Sequence, residues 1–462
     1  MSSQTRILVG ILLGAGLGIG VNLLGPHMGA EGAAAVNWTI ANVAQPLGQL
    51  FLRLLFMLVL PLLFTAVVLG VCELDLKNLG RMGVRMLGYT VIVSAIAVVI
   101  GLVLVNVIGP GRGMPPDLMA KALSGEGVPA AVAAPQDVSP MGLLVSMVPD
   151  NVVKSAASGD MIGIIVFSLL FGMALSVTKT SGAERLKEAI QGVYDALMQL
   201  IHWVLLFAPV GVGALIFALL ARLGLEVLGP VLAYFGVVVL GLAIHMFGVY
   251  SLLLKTVSGV SPVWFFKQVR VAMLTAFSTS SSSATLPTAI KVAEEDLGLP
   301  RTVSRFVLTA GSAMNQNGTA LFEGVTVLFL AQAFNVELTM LQQATVMGVC
   351  ILAGVGTAGI PAGSLPVIAM ILGMVGVPPE GLGLVLGVDR ILDMCRTTVN
   401  VIGDLAAAVY VAKAVDGDDA ESGGGGPDSS DGRLLKDVGM DGASDERSHP
   451  MDVRSLRVEA LA

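Results

Sequence analysis

Apolar residues run along this chain in long blocks, and polar side chains interrupt them at a few concentrated places. Blocks at 7–25, 44–71, 84–108, 161–177, 195–222 and 227–254 each approach the roughly 20 residues a helix needs to cross a bilayer. Each is expected to span. The stretch 110–140, rich in Gly, Pro and Ala, predicts an external loop. No period-2 alternation marks an outer-membrane barrel.

The second half departs from this pattern. Segment 271–290 has the length of one span, yet Lys267 and Arg270 precede it and Lys291, Arg301 and Arg305 follow it. Basic residues mark cytoplasmic loops, so both ends lie on one side. Its middle reads FSTSSSSATLP, and serine competes for backbone hydrogen bonds. The pattern predicts a re-entrant hairpin with a polar, non-helical tip. A full span is expected over 306–333. Segment 341–375 then contains AGVGTAGIPAGSLP, and no Lys or Arg occurs from 306 to 389. This predicts a second hairpin, inserted from the opposite face, and two broken segments in inverted units point to a site near the midplane.

The last apolar block, 382–412, carries Asp389, Asp393, Arg396, Asn400 and Asp404, spaced four, three, four and four apart. All five share one helix face. A charge at the bilayer centre costs about 2.5–3.5 kcal/mol on insertion scales, so the stripe must face protein, water or ligand. Arg396 alone cannot neutralise three acids, and the excess negative charge suggests a cation; an internally paired structural network is the alternative. Upstream, GSAMNQNGTALFEG at 311–324 sets Asn315, Asn317 and Thr319 among apolar residues, with Gly318 available to distort the helix. Such amides and hydroxyls offer neutral oxygens to a weakly held monovalent cation beside Asp404, although they also bridge helices. Glu323 reads either as a group titrating during transport or as a buried, hydrogen-bonded acid.

Composition narrows the class. With 55% hydrophobic and 13% charged residues and a mean hydropathy of +0.85, the chain is expected to be a polytopic helical membrane protein. The net charge of −7 belongs to the tail: 12 of the 33 acids but only 5 of the 26 bases fall in 416–462, leaving 21 of each before it. With its GGGG run, that tail is expected to be disordered. Lys77, Arg81 and Arg85 follow the second block, Lys179, Arg185 and Lys187 the fourth, and Lys255, Lys267 and Arg270 the sixth. This distribution puts the N-terminus in the cytoplasm, and the two hairpins return the C-terminus to the same side, with the chain crossing the cell (inner) membrane several times and its first block retained rather than cleaved. Cys72, Cys350 and Cys395 read as packing residues, and the four histidines show no metal-ligand spacing. No Walker A sequence offers ATP-driven transport, and the serine run has no neighbouring base for nucleophilic chemistry. Neither an enzyme, an organic cofactor nor a nucleic-acid partner is expected.

Four motifs then occur in order: SSSSATLP, NQNGT, GTAGIPAG and D-x-x-x-D-x-x-R-T-x-x-N-V-x-G-D. In them, and over nearly all of residues 1–413, the chain resembles the glutamate/aspartate transporters, or dicarboxylate/amino acid:cation symporters. That family is itself an instance of the inverted-repeat rule, so rule and resemblance are not independent. The resemblance implies an all-α polytopic membrane protein, with eight transmembrane helices and two oppositely oriented re-entrant hairpins in inverted repeats, assembled as a homotrimer. It assigns 1–80 to the first two scaffold helices and 81–110 to the third helix, in a mobile transport domain. Residues 111–225 would form the external loop and scaffold helices four and five. The transport core, 226–413, would hold the sixth helix, first hairpin, seventh helix, second hairpin and eighth helix, and 414–462 the acidic cytoplasmic tail.

Carried over residue by residue, the resemblance implies that Arg396 holds the side-chain carboxylate of aspartate or glutamate and Asp393 its amino group. Asn400, Thr397 and Thr319 would complete the cradle, with the hairpin tips around Ser281, Ser282, Ile360 and Ser364 closing over the α-carboxylate. One sodium ion would sit among Gly311, Asn315, Asn400 and Asp404, a second among Ala313, Gly354, Val355 and Thr357. A third site is degraded here: relatives commonly carry aspartate where Asn317 stands, and tyrosine, threonine and serine where this chain has Thr90, Val93 and Ser94. Relatives also place an auxiliary arginine where this chain has Ser280 or Met394. Arg390 is the candidate replacement; otherwise it snorkels to the headgroups. The function implied is sodium-coupled import of an acidic amino acid by an elevator-type mechanism. A C4-dicarboxylate (succinate, fumarate or malate) symporter and a proton-coupled acidic amino acid carrier stay open as alternatives, and an ion channel is the reading from a different class.

Overall fold

The computed structural model describes residues 3–73, 80–114, 148–158, 161–356 and 364–421, and every regular element within them is helical. The chain opens with α1 (Ser3–Leu24), α2 (Gly29–Thr39) and α3 (Gln45–Glu73). The second of these was not anticipated, although its AEGAAAV run is made of good helix formers. Next come α4 (Gly80–Ile108), α5 (Val152–Ser158), α6 (Met161–Val177) and α7 (Ser181–Leu223). The last begins well before the expected 195, because Thr180 accepts a hydrogen bond from the Ala183 N–H at 3.2 Å and Glu184 stands in the first turn. It ends at Gly224, where φ is +63°. Its two parts, Ser181–Val204 and Leu206–Arg222, meet at 49°. Pro209 explains the bend, since it cannot donate to the carbonyl four residues back, that of Leu205.

Against α7 lies α1, at backbone contact. A Cβ on Gly10 or Gly14 would fall 2.2 Å from the carbonyl oxygen of Pro209 or Gly213 respectively. Helix α3 packs on α6 and α7, so α1, α3, α6 and α7 form one packed group.

The remainder begins with α8 (Leu228–Ala243), whose course continues through π-helical turns at Ile244–Val249 and Leu254–Ser258. After α9 (Pro262–Gln268), α10 (Arg270–Thr279) and α11 (Ser282–Lys291) are joined by two residues only. Ser280 takes up a left-handed conformation at φ +50°, sparsely populated for a side chain other than glycine, and Ser281 is extended. The polar, non-helical turn expected within the serine run is confined to Ser280 and Ser281, and the helix restarts at once because the Ser281 hydroxyl caps α11 by accepting from the Ala284 N–H at 3.2 Å.

The span expected over 306–333 is likewise two helices, α12 (Arg301–Met314) and α13 (Asn317–Ala333). Then follow α14 (Met340–Gly356), α15 (Leu365–Met374) and α16 (Leu386–Glu421), which runs beyond the expected 413 boundary. Every residue of α13 except Gln332 is buried, under α4, α8, α14, α15 and α16. Apart from Asn317, Thr319, Glu323, Thr326 and Gln332 the helix is apolar on all sides, which suits it to the centre.

Among the described residues, Thr5–Leu24, Met82–Ile108 and Gly224–Ser258 are long and apolar enough to cross a bilayer, and the bent α7 pair makes a fourth if it counts as one span. Leu12, Leu17, Val103, Leu232 and Leu252 face outward, an apolar surface suited to lipid.

Candidate functional site

The polar face of α16 is internal: Asp389, Asp393, Arg396, Asn400 and Asp404 are 7, 2, 2, 2 and 3% exposed. Thr397 is buried with them. From Arg396, Nη2 and Nε donate to Asp393 Oδ1 at 2.9 and 3.0 Å, and Nη1 donates to Asp389 Oδ1 at 3.4 Å. The guanidinium carbon lies 4.3 Å from the centre of the Phe322 ring on α13, a cation–π contact that sequence spacing gives no means of finding.

Arg390 turns inward rather than snorkelling. Its Nη1 donates to Asp393 Oδ2 at 3.3 Å, while Nε and Nη2 are buried without a partner. Asp393 therefore carries one guanidinium on each oxygen. This corrects the charge count that set Arg396 alone against three acids: two acids here face two arginines, because the i−3 spacing puts Arg390 on the face of Asp393. The unmatched negative charge on the stripe falls on Asp404.

Asp404 accepts from Asn315 Nδ2 at 2.9 Å and has no basic partner among the described residues. Gly311 makes room for it, since a Cβ there would lie 2.6 Å from Asp404 Oδ1. Asn315 Oδ1 is buried with no partner, and the Gly311 carbonyl accepts from the Asn315 N–H at 2.8 Å. A carboxylate and an orphaned amide oxygen beside a peptide carbonyl form the donor set a hard, oxygen-seeking cation takes.

The α12–α13 break falls at Asn315 and Gln316, not at Gly318. Asn400, expected to face both substrate and sodium, closes the break. Its Oδ1 accepts from the N–H groups of Gly318 and Thr319 at 2.7 and 3.3 Å, and its Nδ2 donates to Gln316 Oε1 and, at 2.9 Å, to Thr319 Oγ1. The orphan donors of the α13 N-terminus explain this orientation, because a side chain from α16 is the cap they lack locally. The end of α14 closes on the same turn: a Cβ on Gly354 would be 3.7 Å from the Gln316 carbonyl oxygen. Ala313 and Val355 occupy the last turns of α12 and α14. Thr357 and Ile360 lie outside the described residues.

In the third expected cluster, Ser94 and Asn317 are bonded within the protein. Ser94 Oγ donates to Asn317 Oδ1 at 2.6 Å, Asn317 Nδ2 to Tyr250 Oη at 3.1 Å, and Tyr250 Oη to the Val399 carbonyl at 3.1 Å. Thr90 Oγ1 is buried without a partner. Of the tip residues, Ser281, Ser282 and Ser364 are all buried, and the hydroxyls of Ser280 and Ser364 are unpartnered. Glu323 is fully buried, with neither carboxyl oxygen bonded. Native interiors leave few such groups, and those at Asn315, Glu323, Arg390 and the turn residues Ser280 and Ser364 make this the candidate site.

The family model described as the sodium:dicarboxylate symporter family matches residues 4–414. The chain belongs to the sodium:dicarboxylate symporter family. Relatives of this symporter include the proton/glutamate-aspartate symporter of Escherichia coli (strain K12), 32% identical over 381 residues, which are 82% of this chain and 86% of the relative. The C4-dicarboxylate transport protein of Deinococcus deserti is 32% identical over 455 residues, 97% of this chain and 98% of its own. Excitatory amino acid transporter 4 of Rattus norvegicus is 32% identical over 428 residues, 79% of this chain and 76% of the relative. The symporter is thus a membrane transporter of the dicarboxylate and glutamate-aspartate class, and no catalytic family is matched.

Proposed function

We propose that this protein imports an acidic amino acid, aspartate or glutamate, together with sodium. The observation that carries the reading is the Arg390–Asp393–Arg396 cluster: two guanidiniums bracket one carboxylate inside apolar protein, and one of them keeps two buried donors unused. A dianionic solute would take those donors and draw Arg396 from Asp393, leaving Asp393 for an ammonium group. Without solute, the internal pairs keep the guanidiniums from lying buried and unmatched. Sodium would neutralise Asp404, held by Asp404, Asn315 and the Gly311 carbonyl, with the second expected set at the end of α14. Asn317, already satisfied by Ser94 and Tyr250, leaves no carboxylate for a third cation, so fewer cations would accompany each substrate.

The rest of the expected architecture belongs to the same proposal: eight spans, two hairpins of opposite insertion, cytoplasmic termini, a homotrimer, and an elevator motion of the α4 and α8–α16 part against α1, α3, α6 and α7. The close packing of α1 and α3 on α7, and of α4, α8, α14, α15 and α16 on α13, supports that division.

A second reading, transport of a C4-dicarboxylate, is favoured by the double pairing of Asp393, both of whose oxygens already face arginine and so need no ammonium. For the coupling ion, the unpartnered carboxyl of Glu323 favours a proton in place of, or beside, sodium. Titration of the purified protein with L-aspartate, L-glutamate and succinate, with and without sodium and at two pH values, tests all of these. Sodium-dependent binding of the amino acids is expected. Succinate binding alone would replace the first reading with the second, and binding indifferent to sodium but tracking pH would move the coupling to Glu323. No binding of any of the three would overturn the proposal.

A further inference from the structure

Away from the buried polar site, a cavity of about 380 Å³ opens between α4, the π-helical end of the α8 course and α16. Its walls include Arg85, Gly88 and Tyr89 of α4, Leu254 and Val257, and Tyr410 of α16. The stacked rings of Tyr89 and Tyr410, 5.6 Å between centroids, form part of its wall. The volume is within the roughly 300–1,000 Å³ of small-molecule sites. What distinguishes it is where it opens. Val84 and Ile92, also on its wall, are 67 and 61% exposed and continue the outward apolar surface of α4, so the mouth faces hydrocarbon rather than water.

One end of the cavity is basic. Arg85 lines it, anchored by an Nη1 hydrogen bond to the Ala414 carbonyl at 2.9 Å. Lys413 Nζ donates to the carbonyl of Ser258, another wall residue. This is the end the basic residues mark as cytoplasmic. An apolar slot facing lipid, with two cations at the level of the inner headgroups, is complementary to one kind of molecule.

We propose that the cavity holds an acyl chain of an anionic phospholipid from the inner leaflet, its phosphate beside Arg85 and Lys413. The site is distinct from the α12–α13–α16 cluster.

The full-length protein in vesicles containing a phosphatidylglycerol that carries a photoreactive diazirine in its acyl chain tests this; a phosphatidylcholine analogue serves as control. Peptide mapping is expected to find the label on 84–93, 253–258 and 406–410 with the anionic analogue in preference. Gly88 supplies a blocking variant, because nothing lies within 4 Å of a Cβ built there, so Gly88→Leu fills the slot without meeting backbone. Gly88→Leu is expected to remove most of this labelling, and Arg85→Gln to lower the preference for phosphatidylglycerol roughly fivefold, the worth of one basic side chain near an anionic surface. Equal labelling by both lipids, labelling confined to other helices, unchanged labelling of Gly88→Leu, or displacement by a free fatty acid but not by phosphatidylglycerol would each overturn the proposal.

Discussion

Arg390 shows how far one side chain can change the chemistry of a site. Three residues ahead of Asp393, it shares that acid with Arg396 and keeps Nε and Nη2 buried and unbonded. Charge-assisted hydrogen bonds contribute about 1.5–3 kcal/mol. Arg390→Gln is therefore expected to weaken binding of a dianionic substrate by roughly ten- to a hundredfold, from the same magnitude. Isothermal titration with L-aspartate and succinate checks this, and an unchanged dissociation constant for both would remove Arg390 from the site. The arginine's place on the polar face was legible from its spacing alone. Whether it turned inward was not, because a long side chain on a membrane helix reaches headgroups or a buried acid from the same Cα, and only the surrounding packing decides.

Among the elements, the α12–α13 break has the clearest local cause. Asn315 and Gln316 leave helical geometry, and Asn400 of α16 supplies the cap for the helix that restarts after them. Asn400→Ala strips acceptors from the Gly318 and Thr319 N–H groups and a donor from Gln316. Its expected effect is a loss of about 1–3 kcal/mol, read as a lower midpoint of thermal unfolding in detergent. Packing of α1 on α7 is open to a test of another kind. Gly14→Leu would set a Cβ 2.2 Å from the Gly213 carbonyl oxygen, backbone that cannot swing aside. The variant is expected to expose α1 to added protease while the wild type resists. Helix periodicity and the interrupted segments were readable from hydrophobic pattern and charge. The positions of the breaks were less so: Gly318 looked like the weak point, yet amide side chains exchanging hydrogen bonds with the main chain set the break two residues earlier. Tyr250 was invisible for a simpler reason, because its partners Asn317 and Val399 lie 67 and 149 residues away.

At the scale of the whole transporter, the proposed coupling ties the number of cations moved per substrate to how many buried negative groups lack a protein partner. Asn317 subtracts one by offering an amide to Tyr250 and Ser94 where an acid would need a counter-ion. Asn317→Asp is expected to add one cation to each cycle, seen as a steeper dependence of substrate accumulation on the sodium gradient in proteoliposomes. An unaltered dependence would mean that Ser94 and Thr90 cannot complete the shell. The enclosure of α13 constrains the route itself. Among the described residues, that helix is jacketed by neighbours along its length, with Gln332 alone less than buried. Under the proposed function, cargo seated at its tip would change sides together with that jacket, so carriage in bulk rather than seepage through a pore is the movement this packing would serve.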